Sequence, residues 1–212
     1  MVTTRPRGRP AKDAEPAPDE EDVLRAALHS FAVHGFNGVS VRTLNKELGV
    51  SHNLLYQRYG TKDDIWRAAV SWGFGRIVAR LEAADDPQSP PLERLRSIIR
   101  AFVLVSAEHP DLMRLINVEG GQHSDRLEYL TDRILGPETE RIRRIWSAAV
   151  ERGEAKDVPF ETVFFLITSG GAEMFASRAL TERLFGEAPL DPERRLGYVE
   201  RFADLIMDAI RA

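Results

Sequence analysis

Between Leu24 and Val70 the chain carries three short amphipathic segments with a glycine turn between the second and third, a pattern that constrains it to a compact helical unit. Val23, Leu24, Ala27, Leu28, Phe31 and Ala32 recur at the spacing that stacks apolar groups on one face of a 3.6-residue turn. This first helix is expected to end at Gly35. Ser40 is placed to accept hydrogen bonds from free backbone N–H groups, so Val41 to Glu47 reads as a second helix with Val41, Leu44 and Leu48 turned inward. Gly49 supplies the tight turn. Ser51 is expected to cap a third helix whose Leu55 and Tyr59 face the core, leaving His52, Asn53, Leu54, Tyr56, Gln57 and Arg58 outside. Two short helices around a glycine-containing turn form a helix-turn-helix unit, and its second helix fits a DNA major groove.

Position and chemistry divide the outer residues. The N-terminal end of such a helix points at base edges, so His52, Asn53 and Leu54 are the candidates for reading sequence. An asparagine amide pairs bidentately with adenine, and a leucine can touch a thymine methyl. Gln57 and Arg58 fit either DNA contacts or solvated surface. Arg42 and Thr43, near the start of the second helix, are placed for phosphate or groove-edge contact. Thr61 is expected to cap a fourth helix and to aim free N–H groups at a phosphate.

A net charge of -4 argues at first against a DNA binder. Its distribution reverses the argument. Arg5, Arg7, Arg9 and Lys12 make the first twelve residues purely positive, and from Arg25 to Lys62 the cations Arg25, Arg42, Lys46, Arg58 and Lys62 face Glu47 alone. Asp19, Glu20, Glu21 and Asp22 sit where they favour the positive end of the first helix dipole. Residues 1–20 hold Pro6, Pro10, Pro16 and Pro18 without apolar period, and are expected to be a disordered basic arm. Pro6-Arg7-Gly8-Arg9-Pro10 resembles an AT-hook core, in which arginines enter a narrow minor groove of enhanced negative potential. Arg7 and Arg9 are therefore candidate DNA contacts, with a merely solubilising tail as the competing reading.

Ala27, Phe31, Gly35, Phe36, Gly49-Val50-Ser51, Leu55-Tyr56, Tyr59 and Thr61-Lys62-Asp63 together resemble the tetracycline-repressor-like (TetR) family of bacterial transcriptional regulators. Leu44-Asn45 departs from the family's usual isoleucine and alanine and puts a polar group near the packed helix pair. The resemblance implies an all-α fold, with an N-terminal three-helix DNA-binding domain (21–66) and a C-terminal helical domain for ligand binding and dimerisation (67–212). It also implies that Tyr56 and Lys62 hold the DNA backbone.

From Ile65 onward the sequence reads as further helix over roughly 61–84, 91–108, 110–119, 124–152, 159–184 and 191–211. The last two look like a dimer interface: Val163, Ile167, Gly170, Gly171 and Met174 lie along one stripe, and Leu196, Val199, Phe202, Ala203, Ile206 and Ile210 along the other. Two glycines inside a helix cost about 1 kcal/mol each against alanine, which close helix approach would offset. Packing inside one subunit is the alternative. A helix-turn-helix monomer reads few base pairs, so two-fold pairing on a palindrome is expected.

The middle helices carry Trp72, Phe74, Phe102, Leu104, Met113, Ile116, Trp146, Phe164 and Phe165 among polar residues. The family resemblance implies a small-molecule pocket there, and Trp72, Phe102, Met113, Asn117, Tyr129, Trp146, Phe165, Ser169 and Glu173 are the candidate lining. The effector is expected to be small and hydrophobic or amphipathic. Glu119, His123 and nearby His109 raise a metal or acid–base site on helical spacing, but Gly120-Gly121 interrupts it and no catalytic or phosphate-loop pattern accompanies it. No enzyme, metal site or cofactor is expected. The chain has no cysteine, no apolar run near the ~20 residues needed to cross a bilayer and no apolar signal core, so a soluble cytoplasmic protein without a membrane partner is expected. The whole reads as a homodimeric transcription factor, a repressor released from a palindromic operator by its effector. The alternatives are activation, regulation without a ligand, or a helical ligand-binding protein whose DNA head does not function.

Overall fold

Among the described residues, side-chain caps start five helices. Asp19, Ser40, Thr61, Ser124 and Asp191 each accept a hydrogen bond from the backbone N–H three residues on, satisfying a donor that the first helical turn leaves open. The computed structural model describes residues 18–51, 53–186 and 191–212. Its helices are α1 (Glu20–Gly38), α2 (Val41–Glu47), α3 (Leu54–Tyr59), α4 (Lys62–Ala84), α5 (Pro91–Glu108), α6 (Pro110–Glu119), α7 (Asp125–Leu130), α8 (Gly136–Glu151), α9 (Phe160–Ala176), α10 (Arg178–Phe185) and α11 (Pro192–Ile210). A π-helical turn, Thr131–Leu135, joins α7 to α8. Among the described residues the only extended pairing is one bridge between Ala155 and Arg211, so the fold is all-α.

The first three helices pack as their periodicity requires. Val23, Leu24, Ala27, Leu28, Phe31, Ala32, Val41, Leu44 and Leu55 are all buried. α1 departs from helical geometry at Gly35, with φ 68° and ψ 165°. Gly49 has φ 65°, a left-handed value that a side chain strains, and it turns the chain between α2 and α3. α4 then runs unbroken through the division drawn at 66/67. Its Ile65, Trp66, Ala69 and Val70 are fully buried and belong to one continuous core shared by both halves of the chain.

Two expected helices are divided. The 124–152 segment is interrupted because Pro137 has no N–H to donate, and the wide turn before it closes with the Gly136 N–H on the Thr131 carbonyl. The 159–184 segment breaks at Ser177, where the Ser177 N–H donates to the Glu173 carbonyl at 2.8 Å and the Thr181 hydroxyl reaches back to the Met174 carbonyl at 2.9 Å.

The stripes expected to form the dimer interface turn inward instead. Val163, Val199, Ala203, Ile206 and Ile210 are buried in the protomer's own core, where α9 and α11 pack on α5 and on each other. Gly171 does permit close approach, but within the subunit: a Cβ there would lie 2.8 Å from Val103 Cγ2 and 3.0 Å from Phe202 Cε1. A Cβ on the exposed Gly170 would meet the same Phe202 ring at 3.3 Å. Ile167, Met174 and Phe202 are half-buried against that core. The reading of packing inside one subunit therefore holds for most of both stripes.

Candidate nucleic-acid interface and effector cavity

The outer face of α3 is assembled from the inside. Asn45 on α2 is fully buried, and its amide donates to the Val41 carbonyl at 2.9 Å while its oxygen accepts the Leu55 N–H at 3.4 Å. This side chain ties α2 to the start of α3, which makes structural sense of the departure from the family's alanine. With Leu55 pinned inward, Tyr56 projects with 55% of its surface exposed, and Asn53, Gln57 and Arg58 are exposed beside it. Leu54 is half-buried. Replacing Asn45 with alanine removes the side-chain bond that ties α2 to the Leu55 N–H, together with the extra bond to the Val41 carbonyl. A loss of about 1–3 kcal/mol is expected in chemical denaturation, and an unchanged midpoint would show that the bridge is idle.

α3 begins later than expected. Ser51 is not its cap: the Ser51 carbonyl accepts the Leu54 N–H at 3.1 Å in a preceding turn, and Asn53 occupies the N-cap without a side-chain cap bond. The candidate contacts Arg7, Arg9 and His52 lie outside the described residues. Arg42 and Thr43 are exposed on the first turn of α2, and the Thr43 hydroxyl is 2.7 Å from that of Ser40.

Thr61 caps α4 through a reciprocal box. Its hydroxyl donates to the Asp64 carboxylate at 2.6 Å and accepts the Asp64 N–H at 3.2 Å, while its own N–H also reaches Asp64 at 2.9 Å. The hydroxyl is therefore committed to the cap. Bonds from Thr61 hold the Asp64 carboxyl below the usual carboxylate range. Lys62 follows, with its ammonium 4.2 Å from the centre of the Phe36 ring.

Charge on this face is largely available. Among the described residues Arg42, Lys46 and Lys62 form no ion pair, and Arg58 has only a long contact of 3.7 Å to Glu20. The Tyr59 hydroxyl also points to Glu20, and burial pushes its ionisation up, so the phenol stays a neutral donor. Phe36 meets a second cation, Arg126 of α7, at 4.2 Å. Arg126 Nε in turn lies 3.0 Å from both oxygens of Glu119, a buried carboxylate at the end of α6. That bond occupies the group weighed as an acid–base or metal partner of His123.

Away from this face, α4, α5, α6, α8 and α9 enclose a cavity of about 430 Å³. Phe102, Met113, Asn117, Phe165, Ser169 and Glu173 line it as expected. Trp72, Tyr129 and Trp146 do not. Trp72 turns to the other side of α4 from Phe74 and stacks under Arg76, with 5.5 Å from guanidinium to ring. The Tyr129 hydroxyl bonds the Ser71 hydroxyl at 2.8 Å, and its ring meets Trp66 edge-on, outside the cavity. Trp146 is buried as core. Lining residues not chosen from the sequence include Phe74, Ile99, Phe164, Glu138 and Thr168. Phe74 and Phe164 stood among the middle-helix aromatics, and only knowledge of which helix face turns inward could have selected them.

No helix of the described residues is long and apolar enough to cross a membrane. Residues 23–69 match the family described as bacterial regulatory proteins, tetR family, and residues 91–206 match the tetracyclin repressor-like C-terminal domain. An uncharacterized HTH-type transcriptional regulator of Bacillus subtilis, YezE, is 35% identical over 82 residues, 38% of this chain and 42% of its own length. This chain thus spans less than half of that relative. The HTH-type transcriptional repressor AcnR of Corynebacterium glutamicum is 25% identical over 178 residues, covering 80% of this chain and 88% of the repressor. Among solved structures, a bacterial regulatory protein from Rhodococcus RHA1 superposes with a TM-score of 0.71 at 23% identity, over 90% of this chain and 96% of that one.

Proposed function

The chain belongs to the tetR family of bacterial regulatory proteins and is a DNA-binding transcriptional regulator rather than an enzyme, and on that premise we propose that it is a homodimeric repressor released from a palindromic operator by a small lipophilic effector. The observation that carries the reading is the outward face of α3, with Tyr56 exposed and the cations Arg42, Lys46 and Lys62 left without carboxylate partners among the described residues. Phosphate contacts position such a protein, and base contacts specify its site. The Corynebacterium relative is named a repressor, which supports that sign of regulation. Arg7, Arg9 and His52 remain part of the proposed DNA contact.

Family members act as dimers, and the exposed apolar side chains supply a face for it. Of ten large hydrophobic residues exposed among the described residues, seven lie on α9, α10 and α11: Phe165, Leu166, Leu180, Leu184, Phe185, Leu196 and Leu205. Large exposed apolar patches mark interaction surfaces, and these three helices carry most of such side chains. The interface we propose is therefore the outer side of these helices, which keeps Leu196 of the expected stripes and leaves their buried members to the core. A Leu166→Glu/Leu205→Glu variant is expected to sediment as a folded monomer where the parent sediments as a dimer. Retained dimerisation would move the interface elsewhere.

The cavity is the proposed effector site. α4 carries Lys62 at its first residue and Phe74, Ile77, Val78 and Leu81 in the cavity wall, along a rod of roughly 35 Å at 1.5 Å per residue. An effector that binds better to one orientation of this rod shifts the spacing of paired heads, and only such differential affinity makes it an inducer. The test is fluorescence anisotropy with the full chain on duplexes from upstream of its own gene and on mixed-sequence duplex. A specific site should bind at least about 10³-fold tighter than mixed sequence, with affinity falling as salt rises. Indifference to every duplex at low ionic strength would end the reading.

A further inference from the structure

We infer that the cavity selects a lipophilic organic cation, an apolar body carrying a protonated amine, and rejects carboxylate-ended ligands of the same size; this rests on the reading of the cavity as the effector site. Among the described residues no lysine, arginine or histidine lines it, whereas two carboxylates do, Glu138 and Glu173. They differ in what neutralises them. Glu138 is held by the Arg141 guanidinium in two bonds, at 2.6 and 2.8 Å, and is already paired. Glu173 is bonded only by neutral donors, the Asn117 amide at 3.1 Å and the Ser177 hydroxyl, and forms no ion pair among the described residues.

Those two bonds fill about half of the lone-pair sites of the carboxylate. Glu173 and Asn117 are both exposed and both line the cavity, so they stand at its rim. Nearby guanidiniums are engaged elsewhere. Arg126 binds Glu119, Arg141 is shared between Asp85 and Glu138, and Arg114 is spent on Asp111 and on the Ala176 carbonyl at 3.1 Å. An anionic guest would bring a second negative charge beside Glu173 with no cation among the cavity-lining residues described to receive it, a like-charge repulsion that solvent at the rim weakens but does not remove. An ammonium at the rim would neutralise Glu173 while its alkyl or aromatic body fills the space between Phe74, Ile99, Phe102 and Phe164.

The experiment compares three probes that share one apolar body, decylammonium, decanol and decanoate, by calorimetric titration of the full chain at about pH 7 and below their aggregation thresholds. Decylammonium is expected to bind about fivefold tighter than decanol, the upper range for an ion pair at an exposed rim, with decanoate weakest. Glu173→Gln should bring decylammonium to within about twofold of decanol and leave decanol unchanged. Decanoate binding as tightly as decylammonium, or an ammonium preference that survives Glu173→Gln, overturns the inference while leaving the cavity reading standing. Thr139→Trp, a substitution in the cavity lining checked for folding by circular dichroism, should weaken all three probes in parallel. If decanol fails to bind, or binds regardless of Thr139→Trp, the effector-site reading fails and this inference with it.

Discussion

An Asp85→Ala variant is expected to lose about 3–5 kcal/mol of stability, the cost of stripping a buried ion network of its shared anion. Asp85 ends α4 and is only 8% exposed. Arg94 grips it at 2.6 and 3.0 Å, and Arg141, itself bound to Glu138, shares its second oxygen. Removing the carboxylate leaves two guanidiniums, 22% and 21% exposed, facing a void they once shared. Asp85→Asn provides the control that keeps shape and removes charge.

The same network sets a pH signature. Hydrogen bonds from Arg94, followed by the charges of Arg94 and Arg141, hold the Asp85 carboxyl below the usual range against the opposing effect of burial. A depressed folded-state value means the contribution is complete above the unfolded value of about 3.9 and is lost as pH falls through the folded one. The gap in urea midpoint between wild type and Asp85→Asn should therefore be wide at neutral pH and narrow in acid. A gap that stays constant through the acid range would show that Asp85 contributes no charge-dependent stability. Because Glu138 lines the cavity and α4 carries the DNA head, the variant is also expected to loosen the wall against which an effector is read.

The helical head was legible in the sequence because its signals agree at every level. Apolar spacing, the Ser40 and Thr61 caps and the Gly49 turn all specify one arrangement, and each appears where its residue stands. The cap of α3 was not legible. Ser51 and Asn53 are both favoured capping residues, and propensity alone cannot choose between positions two apart. The inward turn of most of the α9 and α11 stripes was not legible for a different reason. α9 runs Val163-Phe164-Phe165-Leu166-Ile167, apolar on every side, so no single stripe identifies the face that the protomer buries. Only packing on α5 and α11 decides that Val163 faces in and Leu166 out. The cavity suffered similarly, since Trp72 and Phe74 are two residues apart on α4 and nothing in their chemistry says which one meets the open space. Asn45 looked like a misfit until its two backbone partners were visible.

Binding measurements on Lys62→Ala and Asn53→Ala should separate holding DNA from reading it. Lys62 stands at the start of α4, fixed by the Thr61–Asp64 box behind it and the Phe36 ring beside it. In the proposed complex its charge acts on phosphate, which is the same for every sequence. In a dimer two such lysines are lost, so affinity should fall by roughly a hundredfold on specific and mixed DNA alike, with the salt slope reduced by about 2. Tyr56→Phe, which keeps the ring and removes the exposed hydroxyl, is expected to produce a smaller loss of the same sequence-independent kind. Asn53 is different. Exposed at the N-cap of α3, its amide offers a paired donor and acceptor to a base edge. Asn53→Ala should cost about 1–3 kcal/mol at one position of each half-site, relax the preference there and leave the salt slope alone. Equal losses on specific and mixed DNA for Asn53→Ala would place Asn53 with the backbone contacts. A Lys62→Ala loss confined to the specific site would mean that the start of α4 reads bases after all.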